Sequence, residues 1–487
     1  MTLEATESSE TWANEEFGGA MLTDVRHIRR LVKMAGQLVE HPAATVYGAF
    51  RADREARPAY EFLENENLEW RDIADASHRA CAARAKAYPY VFVALDGSSW
   101  TYTDTGKKKG FGPIGTYTQG ARGIKVMTAY AIEPDGVPLG VLAQELWVRS
   151  NEPNPVPHAK RALEDKESRY WTLLQRQTEE QLRGTGTLPW YLMDREADQV
   201  SVLLRTVEPT MRLTVRADKN RCLAEPSKGP ADEEILKVFE LLDHAPVSGM
   251  STVSVRRSAK RRARTASVEI SFTEAPLKLR QQRSTLLGTI TLTAVRVREL
   301  ECSCPAGEER LDWILYTTYP VEDITDALEV ARGYALRWRI ERFHYATKTG
   351  AGHLTDSQLR SFSAMAIWIT LHVAVASRLE HLLYRARTEP DVPAAVEFSK
   401  DEIDATILLH KRRHTKKGQT YSKMPSLGQL VIYIAQIGGF AHTKQNKWPG
   451  IVTFQRGMMD VVAASSVLAS LREQGLLPHG VRDGSDA

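Results

Sequence analysis

The chain has 487 residues and a mass of 54.6 kDa, with 43% apolar and 26% charged side chains. That balance is globular, suits roughly three domains, and excludes a wholly disordered chain. Lys and Arg number 64 against 61 Asp and Glu, so the net charge of +3 says little about partners until the charges are located. No window approaches the roughly 18 to 20 unbroken apolar residues of a spanning helix, so no membrane partner is expected. The start, MTLEATESSE, is too acidic and polar for a secretory signal. Four cysteines cannot make a disulfide framework, and Cys302 and Cys304 form a lone C-x-C without a second pair. A structural zinc site is therefore not expected, and a reducing, cytoplasmic setting fits best.

Residues 1–16 are polar and expected to fray. A helix is predicted from Leu22, capped by Thr23 or Asp24, with Ile28, Leu31, Val32, Ala35 and Leu38 at helical spacing and Pro42 as its stop. Its other side carries Arg26, Arg29, Arg30 and Lys33. More helical sequence through Tyr60–Leu63 and Ile73–Tyr88 makes residues 1–88 a helical domain with one basic face. Tyr90–Leu95 (YVFVAL) then reads as a buried strand, 106–123 as a Gly- and Lys-rich loop, and Val126–Ile132 with Val141–Val148 as an antiparallel pair. A polar helix over 159–184, a strand Trp190–Met193, a helix around Gln199–Thr206 and a strand Leu213–Val215 complete a mixed α/β layer. This order suits a ribonuclease-H-like core, although several α/β folds share it. Residues 220–320 alternate in the β manner and read as an insertion before a helix from Asp323 to about Lys348. Residues 356–387 are helical and apolar-rich, and 388–487 hold a basic loop, two or three helices and a polar tail.

Asp96 directly follows YVFVAL, and Asp194 directly follows WYLM. A carboxylate just past a buried strand is unfavourable unless it is paired or bound to a cation, and two of them can converge at the carboxyl edge of a sheet. Each could equally cap the next turn, and Glu196 and Asp198 of the string DREAD compete with Asp194. The helix from Asp323 is more specific. At 3.6 residues per turn, Tyr334, Arg337, Glu341 and Lys348 share one stripe about 60° wide, opposite Leu336, Ile340 and Phe343. Without further context the stripe could be a solvated face with an ordinary Arg337–Glu341 ion pair.

The spacing Tyr334-x2-Arg337-x3-Glu341-x6-Lys348, within YALRWRIERFHYATKTGAG, resembles the YREK signature of the insertion-sequence-four family of DDE transposases. The likeness also covers DVRHIRRLVKMAGQLVE near the start and SLGQLVIYIAQIGGF near the end, in the family's order. It implies a ribonuclease-H-like catalytic domain over 89–387 with a β insertion at about 220–320. A helical domain over 1–88 would bind the element's DNA ends, and a helical domain over 388–487 would dimerise. Asp96, Asp194 and Glu341 would be the catalytic and metal-holding carboxylates, taking two Mg²⁺, with Mn²⁺ able to substitute. The implied steps are hydrolysis at the transposon ends, hairpin formation, hairpin opening and transfer of the 3′-hydroxyl ends into target DNA. No nucleotide cofactor is needed, and no GxxxxGK[ST] loop is present. Partners would be double-stranded DNA and a second copy of the chain.

The resemblance further implies that Tyr334, Arg337 and Lys348 hold DNA phosphates, and that Trp313, if not simply a core side chain of its strand, stacks a flipped base. Arg216 and Arg221 match DNA-contacting positions, and Arg26, Arg29 and Arg30 would help read the end. Arg256, Arg257, Lys260, Arg261, Arg262 and Arg264 crowd nine positions of the insertion and are expected on the DNA backbone. Smaller basic runs lie at Lys107–Lys109 and over 411–417. Gly97, Asp218 and Glu40 depart from the family pattern. Two alternatives to the transposase stand beside it: a nuclease that cuts without joining, and a non-catalytic DNA-binding inhibitor.

Overall fold

The computed structural model describes residues 9–43, 45–50, 52–104, 109–115, 120–157, 160–205, 211–255, 257, 261–281, 285–350, 354–414, 420–443 and 447–476. From residue 9 the start is packed, not frayed. Ser9–Phe17 is helical and buries Trp12, Ala13 and Phe17 on one face. Glu16 on that face accepts from Ser77 Oγ (2.5 Å) and Arg84 Nη1 (2.9 Å), so a buried acid was concealed in a polar-looking stretch. The helix Val25–Glu40 starts at Asp24, whose side chain accepts the Arg26 N–H, and it buries Leu31, Met34, Ala35 and Leu38. Helices Asp53–Leu63 and Trp70–Ala85 follow.

Twelve strands among the described residues form one mixed sheet. In chain order they are β1 Tyr90–Tyr102, β2 Gly112–Pro113, β3 Arg122–Ile132, β4 Pro138–Trp147, β5 Leu188–Met193 and β6 Arg212–Arg216, then β7 Cys222–Lys228, β8 Glu234–Lys237, β9 Val247–Val255, β10 Arg264–Gln281, β11 Thr285–Glu299 and β12 Asp312–Thr317. Their spatial order is β2-β3-β1-β5-β6-β12-β11-β10-β7-β8, with β4 on β3 and β9 on β10. β1, β5 and β6 run parallel, while β3 and β4 pair antiparallel beside them. Val91, Val93 and Leu95 join the core on one face of β1; Phe92 and Ala94 join the core on the other. Cover on both faces is why YVFVAL is continuously apolar.

The chain from β7 to β11 is inserted between β6 and β12 and extends the same sheet. β12 returns to pair with β6 through Leu315↔Arg216 and with β11 through Val297↔Trp313. The insertion also holds a short helix, Val238–His244, inside a region expected to be mostly β. The polar helix expected over 159–184 begins only at Arg169, after a 3-10 turn at Leu163–Asp165.

The helix expected from 323 to 348 is broken. Ile324–Leu336 and Trp338–Tyr345 meet at Arg337, where hydrogen bonds from Arg337 N to Tyr334 O and from Ile340 N to Arg337 O tighten the turn. A wide π turn, Ala346–Gly350, follows. Gly333 lets the first segment lie close on β1, since a Cβ there would come within 2.6 Å of the Phe92 ring.

Phe362–Thr388 corrects the expectation that nothing in the chain could span a membrane. By length and composition this helix could cross one, yet 83% of its most apolar window is buried inside the protein. Three further helices, Lys400–His414, Leu427–Ile437 and Ile451–Glu473, close the fold. Lys411, Arg412 and Arg413 belong to the last turn of the first of these, not to a loop, while Lys416 and Lys417 lie outside the described residues. The other two cross at Gly457, where a Cβ would stand 1.7 Å from the Ile434 carbonyl oxygen.

Candidate active site

Asp96 is not past the end of its strand. β1 continues to Tyr102 because β3 pairs with it along that whole length, Asp96↔Thr128 included. What ends near Asp96 is the parallel partner: the last β1–β5 pair is Ala94↔Leu192, and β5 stops at Met193. Two residues further on, the chain reaches Asp96 on one strand and Asp194 beside the other. With a side-chain period of two, Asp96 shares a face with Phe92 and Ala94, and Asp194 shares it with Trp190 and Leu192. All four of those apolar residues belong to one core, which also contains Ile340 and Phe343 of the helix carrying Glu341. The register and the alternation thus turn Asp96 and Asp194, distant in sequence, to the same side, and the charge of Glu341 reaches Asp96 from the helix packed there.

Asp194 Oδ1 caps the turn that follows, accepting the Glu196 N–H at 3.0 Å. Glu341 Oε1 accepts from Arg337 Nη2 at 2.6 Å. Asp96 lies deepest: burial first, and then the charges of Asp194 and Glu341, push its carboxyl up to about 7 against the pull of Arg337. Tyr334 is buried, which raises its phenol, and its neighbours are Arg337 and Arg216. Lys348 is half-buried in the π turn, its ammonium lowered by burial and partly restored by Asp96. Tyr334 therefore faces the site and not solvent, and Leu336 is half-buried, packed against the core and close to Gly136.

A cleft of about 770 Å³ opens on the Tyr334 and Arg337 side of the site, between β9 and the helix Ile324–Leu336, and none of the three acids lines it. Arg216, Arg257, Arg261, Trp313 and Arg337 all line it. Trp313 is half-buried and meets the Tyr334 ring edge-on at 5.1 Å. Arg216 Nε and Arg337 Nη1 are buried N–H groups without a hydrogen-bond partner. Unspent guanidinium donors on a cleft suit a phosphate.

Other sequence-predicted cations sit elsewhere. Arg221 is buried on Asp198, with Nε at 2.8 Å from Oδ1, so its guanidinium is committed within the fold. Arg264 is likewise held, by Glu299 (2.8 Å) and Glu308 (2.6 Å). In each case an acid distant in sequence pairs with a guanidinium that the sequence assigned to DNA. Arg262 is exposed, and Arg256 and Lys260 lie outside the described residues. On the N-terminal helix Arg26 pairs with Asp24 and Arg30 lies 3.4 Å from Glu55, while Arg29 is exposed.

Sequence reasoning missed His344. Its side chain is 8% exposed, and Nδ1 stands 3.6 Å from Asp96 Oδ2. Burial, then Lys348 and Arg337, lower the imidazole to about 3, so it is neutral. The signal was its position three residues after Glu341, on the same helix face.

Among the described residues, no group of three or more His, Cys, Asp and Glu side chains closes tightly enough to hold a metal ion. The chemistry of the donors still fits a hard divalent cation. Asp96 is raised first by burial and then by the charges of Asp194 and Glu341, and oxygen donors gathered in this way are the type that a hard cation takes.

Residues 9–68 match a protein-family model described as transposase DNA-binding. The matched segment runs from the helix Ser9–Phe17 through Asp53–Leu63 and includes the exposed Arg29. The match supports a transposase with DNA as a partner.

Proposed function

We propose that this chain is a cut-and-paste DNA transposase of the DDE type, with a ribonuclease-H-like core interrupted by a β insertion, as its likeness to the insertion-sequence-four family implies. The observation that supports this reading is the register bringing Asp96 and Asp194 to one face, with the charge of Glu341 acting on Asp96. The core order β4-β3-β1-β5-β6, antiparallel then parallel, supports it. Asp96, Asp194 and Glu341 would hold two Mg²⁺, or Mn²⁺ in their place, and bound ions supply neutralisation of charge at phosphorus. Arg337, Arg216 and Lys348 grip phosphates beside the cut and fix the in-line geometry that phosphoryl transfer needs. Tyr334 wedges between the two arginines, and Trp313 presents a ring to an unstacked base. Hydrolysis at the element end frees a 3′-hydroxyl, which attacks the opposite strand; after the hairpin opens, the same hydroxyl attacks target DNA. One acid set serves every step because each is a displacement at phosphorus.

The protein acts on the nucleoid in the cytoplasm, as a homodimer across paired ends. Exposed Val467 and Leu476 near the end of the last helix suit a self-contact. Purified Asp96→Ala, Asp194→Ala and Glu341→Ala, assayed on the inverted repeats flanking the gene, should bind ends and lose cleavage by more than about 10³-fold. Metal-dependent cutting by any of the three would refute the assignment. Pre-cut ends with a plasmid target test joining, and absence of joined product would leave a nuclease.

A further inference from the structure

We propose that His344 is a positioning residue for Asp96, holding its carboxylate through Nδ1–H. This rests on the preceding reading of Asp96 as an ion-holding acid. Four observations carry it. The ring is buried on the acid cluster's side of its helix, with Nδ1 3.6 Å from Asp96 Oδ2. Its other nitrogen, Nε2, is buried without a partner, so the imidazole is not spent elsewhere. Its neighbour Phe343 stacks on Tyr130 of β3 at 4.5 Å, which pins that part of the helix to the sheet. The Thr347 hydroxyl donates to the His344 carbonyl at 3.0 Å, fixing the backbone on the other side.

A separation of 3.6 Å is longer than a hydrogen bond, and contacts of this kind tighten when a site fills. A proton on Nδ1 then has one acceptor to meet, Asp96 Oδ2. That bond fixes the carboxylate plane and leaves its remaining lone pairs to the cluster with Asp194 and Glu341. Groups that orient a metal-holding carboxylate are commonly worth about 10- to 100-fold in metal affinity. His344 touches no reacting atom in this scheme; it acts through Asp96.

The test is Mn²⁺ binding to the full-length protein without DNA, followed by electron paramagnetic resonance, on wild type, Asp96→Asn, His344→Phe, His344→Asn and His344→Gln. Asn places an amide donor near the Nδ1 position, and Gln places one near Nε2. Wild type should bind Mn²⁺ and Asp96→Asn should lose it; if Asp96→Asn binds as wild type does, the underlying reading of Asp96 fails. Granted that, His344→Phe and His344→Gln should weaken binding about 10- to 100-fold, and His344→Asn should stay within about threefold of wild type. His344→Phe binding like wild type, or His344→Asn as weak as His344→Gln, would overturn the assignment. Should His344→Phe fail to melt cooperatively, the Asn and Gln pair decides alone.

Discussion

Arg337, half-buried, and Arg221, buried, both lie beside aspartates, yet they belong to opposite kinds of region. Around Arg221 the charges close: Asp198 takes its guanidinium at 2.8 Å and also accepts the backbone N–H groups of Asp218 and Lys219. Around Arg337 they do not. One guanidinium faces three carboxylates, one of its nitrogens is unpartnered, and Asp96 titrates far above an ordinary aspartate. Only three residues of DREAD separate Asp194 from Asp198. A matched set stabilises the fold, whereas an unmatched one is a place prepared for something from outside.

The sharpest way to break this contrast is Arg221→Ala. It strands Asp198, fully buried, and should destabilise the protein by about 3–5 kcal/mol in urea unfolding. A loss under about 1 kcal/mol would show that the joint is not closed. Asp96→Asn should do the reverse. A carboxyl raised to about 7 weighs against folding once pH exceeds the ordinary aspartate value of 3.8, and most fully above 7. At pH 8 without divalent cations this variant should therefore melt higher than wild type, and a lower melting temperature would mean the acid is held by contacts. A second closed set extends the comparison. Glu397 is buried, which would raise it, but His381, Arg385 and Arg378 hold it down at about 2. Its contribution is full above the ordinary 4.5 and is lost as pH falls toward 2. Glu397→Gln should flatten the acid limb of stability between those values. The smallest effect is expected at Arg29, exposed on the N-terminal helix. Arg29→Ala should lower the salt slope of end binding by about one, with no change in melting.

Asp96 and Asp194 were legible because each follows a short apolar run, where burial and charge conflict in plain view, and Glu341 because of its spacing from Tyr334, Arg337 and Lys348. Their facing was not, since it depends on the pairing Ala94↔Leu192 between strands far apart in sequence. The same distance hid the fate of Arg221 and Arg264. Basic residues look alike in a string, and only the folded chain shows that Asp198 and Glu299 already hold these two. Periodicity predicted one helix through Arg337 because wheel geometry ignores the tightened turn there. His344 was passed over because a lone histidine on a helix has no motif to announce it.

The helix Phe362–Thr388 carries a consequence for any shortened form of this protein. Its apolar surface is covered from one side by the helices Val25–Glu40, Asp53–Leu63 and Trp70–Ala85, and from another by Leu427–Ile437 and Ile451–Glu473. Neither the helices before β1 nor those after Thr388 are therefore appendages. A fragment lacking residues 1–88, or one ending soon after Thr388, would keep the cover of β4 but open one flank of this greasy rod to water, and would tend to clump, meet a lipid phase or recruit a substitute cover.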